Sequence, residues 1–462
     1  MSEDKKLNMP QSLLLLLLII GSVAVCIRLK TGGPMIGLFM SWIIIYLFCK
    51  VLRINYEHVV NGAYDAIRVV VPTLCLLMAI GVMIGTWLQS GTIATIIVGG
   101  LKLINPTWLL PLTLIFCAVL SLVTGTSYGS VGSAGVAMMA IGNAMSIHPG
   151  MVAGAVICGA MFGDKLSPLS DTTNLAPAVA GSKLNDHVRS MLWTTLPTFV
   201  ISLVLFVILG ISQTSGNYET GNLLTYIDAL QGEFKLGFIT LLPAIAIIIL
   251  LLCKVNAVVS LGLSAICAGA VSFFYQGATL QSIIRVAYNG YTTSIEEGIL
   301  QTILNRGGMS SMLQYVAIIC FAVGMGGMLD RLGVLGNLLN AIVNHINSDG
   351  SLITASLLVG YVTSLISCSQ PMSHVLTGNM MKPLFKSRKI APEILSRTLE
   401  DAGTLSGPMI PWHGYCVYMS GTLGVAWSVF FPYLFLLYLT PLFSIFYGFT
   451  GISIQHTDDA QN

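Results

Sequence analysis

The stretch GAMFGDKLSPLSDTTNLAPAVAG, Gly159 to Gly181, holds two aspartates, a lysine, two prolines and four hydroxyl side chains inside a chain that is otherwise mostly hydrocarbon. Pro168 lacks an amide hydrogen and its ring clashes with the carbonyl one turn earlier; Pro177 repeats the interruption. The helix rising from Gly150 is therefore expected to break near Gly163 and leave carbonyl oxygens free. In hydrocarbon an unpaired backbone group costs several kcal/mol, so such a segment survives only where it lines a cavity or packs in protein. The freed carbonyls, with Ser167, Ser170, Thr172, Thr173 and Asn174, are hard oxygen donors suited to a small alkali cation, and Asp164 and Asp171 supply negative charge. A charged side chain at mid-membrane costs at least about 2.5 kcal/mol, so such residues mark ion or proton paths. The plainer reading is an aqueous loop. Against it, no net basic excess appears before Lys183, and Gly150, Gly154, Gly159 and Gly163 fall near one helix face, where a neighbour can approach closely.

Composition sets the surroundings of this run. The 462 residues are 55% hydrophobic and 9% charged, whereas a soluble chain carries about a quarter charged residues. The surface must face lipid. Apolar runs recur from Leu13 to Phe449, and a crossing takes about 20 apolar residues, which gives about ten to twelve spans, some broken. Strand-period alternation is absent, which argues against a barrel. The expected class is an all-α polytopic membrane protein with the lipid bilayer as its surroundings. The first apolar run follows Lys5 and Lys6 like a secretory signal, but Arg28 and Lys30 follow it and many spans come after, so it reads as a retained helix. A net charge of +2 gives no reason for a nucleic-acid partner. The ten cysteines show no CxxC or CxxH spacing and read as packing residues.

Sliding the chain by 243 residues lays SLVTGTSYGS (Ser121–Ser130) on SLISCSQPMS (Ser364–Ser373), Pro149 on Pro392 and Pro168 on Pro411. Charge then tests orientation. The second copy carries Lys382, Lys386, Arg388 and Lys389 where the first has no basic residue; one loop later the first carries Lys183 and Arg189 where the second is uncharged. Basic loops stay cytoplasmic, so equivalent loops face opposite sides, as an inverted repeat requires. The expected division is residues 1–107 as N-terminal helices for scaffold and oligomerisation, which leaves a homodimer open; 108–212 as the first repeat; 213–350 as linker and middle helices; and 351–450 as the second, inverted repeat.

The partner half-sites are expected at TGTSYGSVGSAG, Thr124 to Gly135, with Thr126 and Ser127, and at SCSQPMSH, Ser367 to His374, with Ser367 and Ser369. Both are hydroxyl-rich and interrupted by glycine or proline, which suits a hairpin dipping to the midplane. GTSYG also fits the G-x-S-x-G pattern of a hydrolase nucleophile, but that motif needs a strand-to-helix turn, so an intramembrane hydrolase is a remote alternative and no catalytic residue is assigned. The run Leu399–Gly414 adds Glu400, Asp401, Thr404, Ser406 and His413. His374 and His413 read equally well as packing or binding residues. Glu296, Glu297 and Arg306 read either as an internal ion pair or as a solvated loop, the loop being preferred, and Asp330 with Arg331 as a helix-end pair.

Together with GTSYGSVGSAGVAMM, LNRGGMSSM and GTLSGPMIPW, the opening run resembles the NhaC family of sodium/proton antiporters, along essentially the whole chain and in order. The resemblance implies an inverted-repeat fold with two re-entrant hairpins and broken helices, a coupled cation site around Asp164 to Asn174, and a multi-pass protein of the cell membrane. It implies Na⁺ and H⁺ as coupling ions without an organic cofactor. It leaves two activities open: plain Na⁺/H⁺ exchange, or Na⁺- and proton-coupled exchange of a small organic anion, of the malate/lactate type, or of an amino acid. Exchange requires one carboxylate to hold either ion but not both. Lys165 beside Asp164 would favour the ionised carboxylate, but adjacent helical residues point in different directions, so Lys165 is expected to face away from the site or to pair with another carboxylate. Asp171, among hydroxyls, is then the preferred proton carrier, and the Na⁺ ligand set is Asp171, Thr172, Asn174 and Asp164. Helix N-termini at Thr126–Ser127 and Ser369–Gln370 could hold an anion without any arginine.

Overall fold

A computed structural model describes residues 6–29, 33–214, 220–294, 298–337 and 346–457. Glu296 and Glu297 lie outside the described residues. Three long apolar helices open the chain, α1 (Met9–Arg28), α2 (Gly33–Leu52) and α3 (Tyr56–Gln89), followed by the shorter α4 (Thr92–Leu103). Next come α5 (Pro106–Thr124), α6 (127–144, with a π-helical turn at Val131–Gly135), α7 (Pro149–Leu166), α8 (Asp171–Ala180) and α9 (Leu184–Thr214). The middle holds α10 (Thr220–Glu233), α11 (Phe238–Leu252), α12 (Ala257–Gln276), α13 (Leu280–Asn289), α14 (Gly298–Leu304) and α15 (Met309–Arg331). The last third holds α16 (Asp349–Ser367), α17 (Gln370–Ser387), α18 (Pro392–Leu399, running into a π turn at Glu400–Thr404), α19 (Gly414–Leu423), α20 (Trp427–Tyr433) and α21 (Phe435–Thr450). Among the described residues eight helices are long and apolar enough to cross a membrane, or up to eleven when each of three bent helix pairs counts as one span. The protein is an all-α, multi-pass membrane protein.

The helix boundaries repeat at one interval. Pro106 and Asp349, Ser127 and Gln370, Pro149 and Pro392, Asp171 and Gly414, and Leu184 and Trp427 each open a helix, and the members of every pair are 243 residues apart. Backbone conformation repeats too. Gly125 (φ 70°) and Cys368 (φ 55°) both turn left-handed at the first reversal, and Ser146 (φ 55°) and Lys389 (φ 56°) at the second. A residue with a side chain is strained in that region, so the fold imposes the turn at Cys368 where the first copy uses glycine.

Equivalent loops sit at opposite ends of the bundle. The loop after α8 meets the one after α17: Lys382 Nζ donates to the Val179 carbonyl at 3.0 Å, and His187 Nδ1 lies 2.8 Å from Ser396 Oγ. At the other end of α7 the loop after α6 meets the one after α19. There the His148 and Tyr433 rings are 5.6 Å apart, and a Cβ on Gly150 would stand 2.1 Å from the Val429 carbonyl oxygen. The two basic loops thus share one end.

The glycine face of α7 serves two neighbours. A Cβ on Gly159 would come within 2.3 Å of the Leu114 carbonyl oxygen and one on Gly163 within 2.2 Å of that of Ala118, so α5 packs against bare backbone there. Gly150 and Gly154 admit the segment around Val429 and Tyr433. The break falls later than the sequence suggests. α7 continues through Gly163 to Leu166, Ser167–Ser170 are non-helical, and α8 leaves at 49°. Pro168 ends the helix just ahead of itself, as its restriction of the preceding residue dictates. Pro177 does not interrupt; it lies inside α8.

Candidate functional site

Four helix starts converge where the two repeats meet. Thr126 (φ −149°, ψ 119°) and Ser369 (φ −140°, ψ 123°) cap α6 and α17 in extended conformation, and Ser170 (φ −73°, ψ 140°) and His413 (φ −69°, ψ 141°) stand before α8 and α19. Each start presents amide hydrogens without intrahelical partners, and so a partial positive charge. They border a cavity of about 350 Å³ lined by Thr126, Asp164, Ser170, Asp171, Thr172, Ser369 and His413, with Tyr128, Gln370 and Tyr415 beside them and the middle of α3 as the facing wall.

Asp164 is the buried acid of this cavity, at 4% exposure. Its Oδ2 accepts from Ser127 Oγ at 2.5 Å and from Tyr415 Oη at 3.4 Å, and the two hydroxyls are 2.7 Å apart. One contact comes from the first repeat and one from the second. Lys165 turns away from Asp164 and forms an ion pair with Asp401, both side chains fully buried. Thr194 Oγ1 donates to the same Asp401 oxygen at 3.2 Å.

The expected site residues separate into three groups. Thr126, Asp164, Ser170, Asp171, Thr172, Ser369 and His413 meet at the cavity, and Ser127 reaches it through Asp164. Asp171, however, is exposed and Asp164 is buried, the reverse of what the preference for Asp171 as proton carrier requires. The others hold the break together. Thr173 Oγ1 donates to the carbonyls of Asp164 (3.1 Å) and Lys165 (3.0 Å), Asn174 Nδ2 to those of Pro168 (2.9 Å) and Ser170 (2.7 Å), and Ser167 Oγ accepts from Leu169 N at 3.3 Å. Asn174, one of the four expected Na⁺ ligands, is outside the cavity lining because its amide is spent on the turn. Ser367 Oγ donates to the Ser369 carbonyl at 3.2 Å, Thr404 Oγ1 pairs with His374 Nε2 at 3.1 Å, and Asp401 is committed to Lys165. Arg331 pairs with Asp65 of α3 at 2.9 Å rather than with its neighbour Asp330. Ser127 is no hydrolase nucleophile: its hydroxyl donates to a carboxylate at a helix start.

Known proteins share this arrangement of sequence. The model of the Na⁺/H⁺ antiporter family matches residues 159–452, from the first broken helix to the end of the second repeat. The chain belongs to the Na⁺/H⁺ antiporter family. Within it, the chain is similar to the Na⁺/H⁺ antiporter NhaC of Alkalihalophilus pseudofirmus, 34% identical over 99% of both chains. It is similar also to the malate-2H⁺/Na⁺-lactate antiporter of Bacillus subtilis, 34% identical over 91% of this chain and 90% of that one. The arginine/ornithine antiporter ArcD of Halobacterium salinarum is 32% identical over 88% of this chain and 84% of its own length. Like its relatives in this antiporter family, the chain is a transporter and not an enzyme.

Two tyrosines escape the sequence reading of this family member. Tyr415 holds Asp164, and Tyr128 packs against Tyr415 with ring centroids 4.2 Å apart and the planes tilted by 44°. A signal exists for Tyr415: it stands 243 residues after Thr172, as the second residue of the helix that follows the break.

Proposed function

We propose that this antiporter exchanges Na⁺ for protons across the cell membrane by alternating access, with Asp164 as the carboxylate for which the two ions compete. The observation that carries the reading is the placement of Asp164: a buried acid at the meeting point of both repeats, one oxygen held by Ser127 and Tyr415, bordering the cavity. An ionised carboxylate at that depth needs a counter-charge, and a Na⁺ ion or a proton supplies it. Ser170, Thr172 and Thr126 offer hydroxyl oxygens around the same space. The NhaC relatives support the choice of ions. The test is Na⁺-driven proton movement in proteoliposomes containing a pH dye: wild-type protein should acidify or alkalinise the lumen according to the Na⁺ gradient, and D164N should not. Wild-type exchange by D164N would exclude Asp164 as the shared carboxylate.

A second reading has its own support. His413 Nδ1 accepts from Tyr415 N at 3.1 Å, which puts the ring proton on Nε2, and that donor has no partner among the described residues; neither has Ser369 Oγ. Both residues line the cavity beside two helix starts, and about 350 Å³ exceeds what a bare cation needs. A small carboxylate anion fits unpaired donors and positive helix ends, in line with the malate/lactate relative. Repeating the assay with lactate, malate or an amino acid on one side separates the readings: anion-dependent Na⁺ flux lost in H413A assigns the co-substrate, and flux indifferent to every anion leaves plain ion exchange.

A further inference from the structure

We propose that Arg306 is the centre of a second binding site, at the outer mouth of the carrier, which takes a small carboxylate arriving from outside. The inference rests on the second reading above, in which a small organic anion is a co-substrate, and adds a place in the molecule which that reading does not include. A cavity of about 440 Å³ lies between α3, α15 and the end of α19, and Arg306 is the only charged side chain among its described lining residues. Asn289, Asn305 and Gln314 bring amides to the same wall. The guanidinium makes no ion pair or hydrogen bond among the described residues. Glu233, the acid that meets Tyr291, accepts from the Tyr291 hydroxyl at 2.5 Å and from that of Thr293, and it does not line the cavity. An unpaired guanidinium repels Na⁺ and attracts anions, and its fork of N–H donors matches the two oxygens of a carboxylate.

The backbone fixes the arginine in place. Tyr291 N donates to the Arg306 carbonyl at 3.1 Å, and Gly308 N donates to the Gly81 carbonyl at 2.7 Å. Between them a Cβ on Gly307 (φ 84°) would stand 2.4 Å from Gly85 N, so the chain lies directly on α3. On the other side a Cβ on Gly424 (φ 69°) would stand 2.0 Å from Arg306 Nη2, which puts the guanidinium over the C-terminal end of α19. Helix carbonyls favour a cation there, a purely structural use of the arginine. Yet none of them accepts a hydrogen bond from it among the described residues.

The repeat puts this cavity on the path to Asp164. A cavity of about 570 Å³ at the basic-loop end of the bundle is lined by Gly62, Val69 and Gly327. Their counterparts 243 residues away, Asn305, Met312 and Ile84, line the outer one. The inner cavity adjoins that of Asp164: Val69 lines both, and Pro371 and Met372, successive residues of α17, line one each. The outer cavity shares no described lining residue with it and stops one turn of α15 short, at Tyr315 against Ile319. Two cavities exchanged by an inverted repeat, one joined to the site and one shut, are the two ends of an alternating path. Basic loops are cytoplasmic, so Arg306 stands at the external end. Its inner counterpart, Ala63, is buried and uncharged, so the guanidinium marks one side only.

Arginine modification tests this on the intact chain. In right-side-out vesicles, 4-hydroxyphenylglyoxal added outside should modify Arg306, read by peptide mass, and lactate or malate should protect it where equal chloride does not. An Arg306 that the reagent never reaches, that neither acid protects, or that chloride protects equally overturns the inference. In transport, R306Q should raise the external KM for the carboxylate by about tenfold or more and leave its internal KM, measured in inside-out vesicles, and the external KM for Na⁺ within about twofold. R306K, which keeps the charge without the fork, should fall between. A purely structural arginine would move all three values together, and that result, or an unchanged external KM, also overturns the inference. Should R306Q fail to fold, protection of the wild type decides alone. Failure of the second reading is seen apart from any variant: wild-type Na⁺ flux would be indifferent to every organic anion, and the inference would fall with it.

Discussion

At Asp164 the decisive fact is which side chains point at one oxygen. Ser127 and Tyr415 both donate to Oδ2, and a hydrogen bond to a charged group contributes about 1.5–3 kcal/mol. S127A should therefore weaken Na⁺ binding by about tenfold or more, and Y415F by less, because its bond is the longer one; isothermal titration of purified protein reads both. D171N should change Na⁺ affinity only a few-fold, since an exposed carboxylate is screened by water. Equal losses in D171N and D164N would return the exchange to Asp171. The sequence made this ranking hard to see. Lys165 is adjacent to Asp164 in the chain, but successive helical residues point about 100° apart, and the lysine spends its charge on Asp401, 236 residues away. That Lys165 would face away or pair with another carboxylate was legible from the helix geometry, but which carboxylate was not, because Asp401 lies in the other repeat.

Among the helices, the Lys165–Asp401 pair ties α7 of one repeat to the π turn of the other through a fully desolvated contact. Removing one partner of a buried pair strands the other, at about 3–5 kcal/mol. K165M and D401N should each lower the unfolding temperature of the detergent-solubilised protein markedly, while K165M/D401L should recover much of the loss. Additive losses in the double variant would show that the pair is not coupled. Which helices break was legible in the sequence. Pro168 and the hydroxyl run marked the break before α8, and the 243-residue offset marked its counterpart before α19. Where they break was less so. Glycine was read as the end of α7, but Gly159 and Gly163 instead let α5 approach its backbone, and the helix runs on to Leu166. The π turn at Glu400–Thr404 had no signature at all, because an i→i+5 turn depends on how the surrounding helices pack and not on a residue type.

For the whole molecule, two non-equivalent basic loops meet at one end of the bundle, after α8 and after α17, and their uncharged counterparts meet at the other. Since basic loops remain cytoplasmic, a cysteine at Ser387 should be protected from an impermeant thiol reagent in right-side-out vesicles and one at Ser146 should react. Both positions are exposed, and the native exposed thiol, Cys253, must first be removed. Labelling of both from the same side would rule out the inverted arrangement. That arrangement also bears on the driving force. A cavity whose acids must be neutralised before they can change sides makes the unloaded return slow, because a bare buried carboxylate costs several kcal/mol and each 1.36 kcal/mol is tenfold in rate. The carrier should therefore exchange and not leak: downhill Na⁺ flux with no counter-ion on the far side should be slower than exchange by orders of magnitude. If more protons than Na⁺ move per cycle, each turnover moves net charge, and the membrane potential acts on it at about 2.3 kcal/mol per charge per 100 mV. Turnover at clamped potential in proteoliposomes should then depend on voltage in the wild type. A co-transported monovalent anion would shift the charge moved per cycle, so the same measurement with lactate on one side registers as a change in voltage slope. Voltage-independent wild-type exchange in the absence of any organic anion would mean one proton for one Na⁺, and Asp164 alone would suffice.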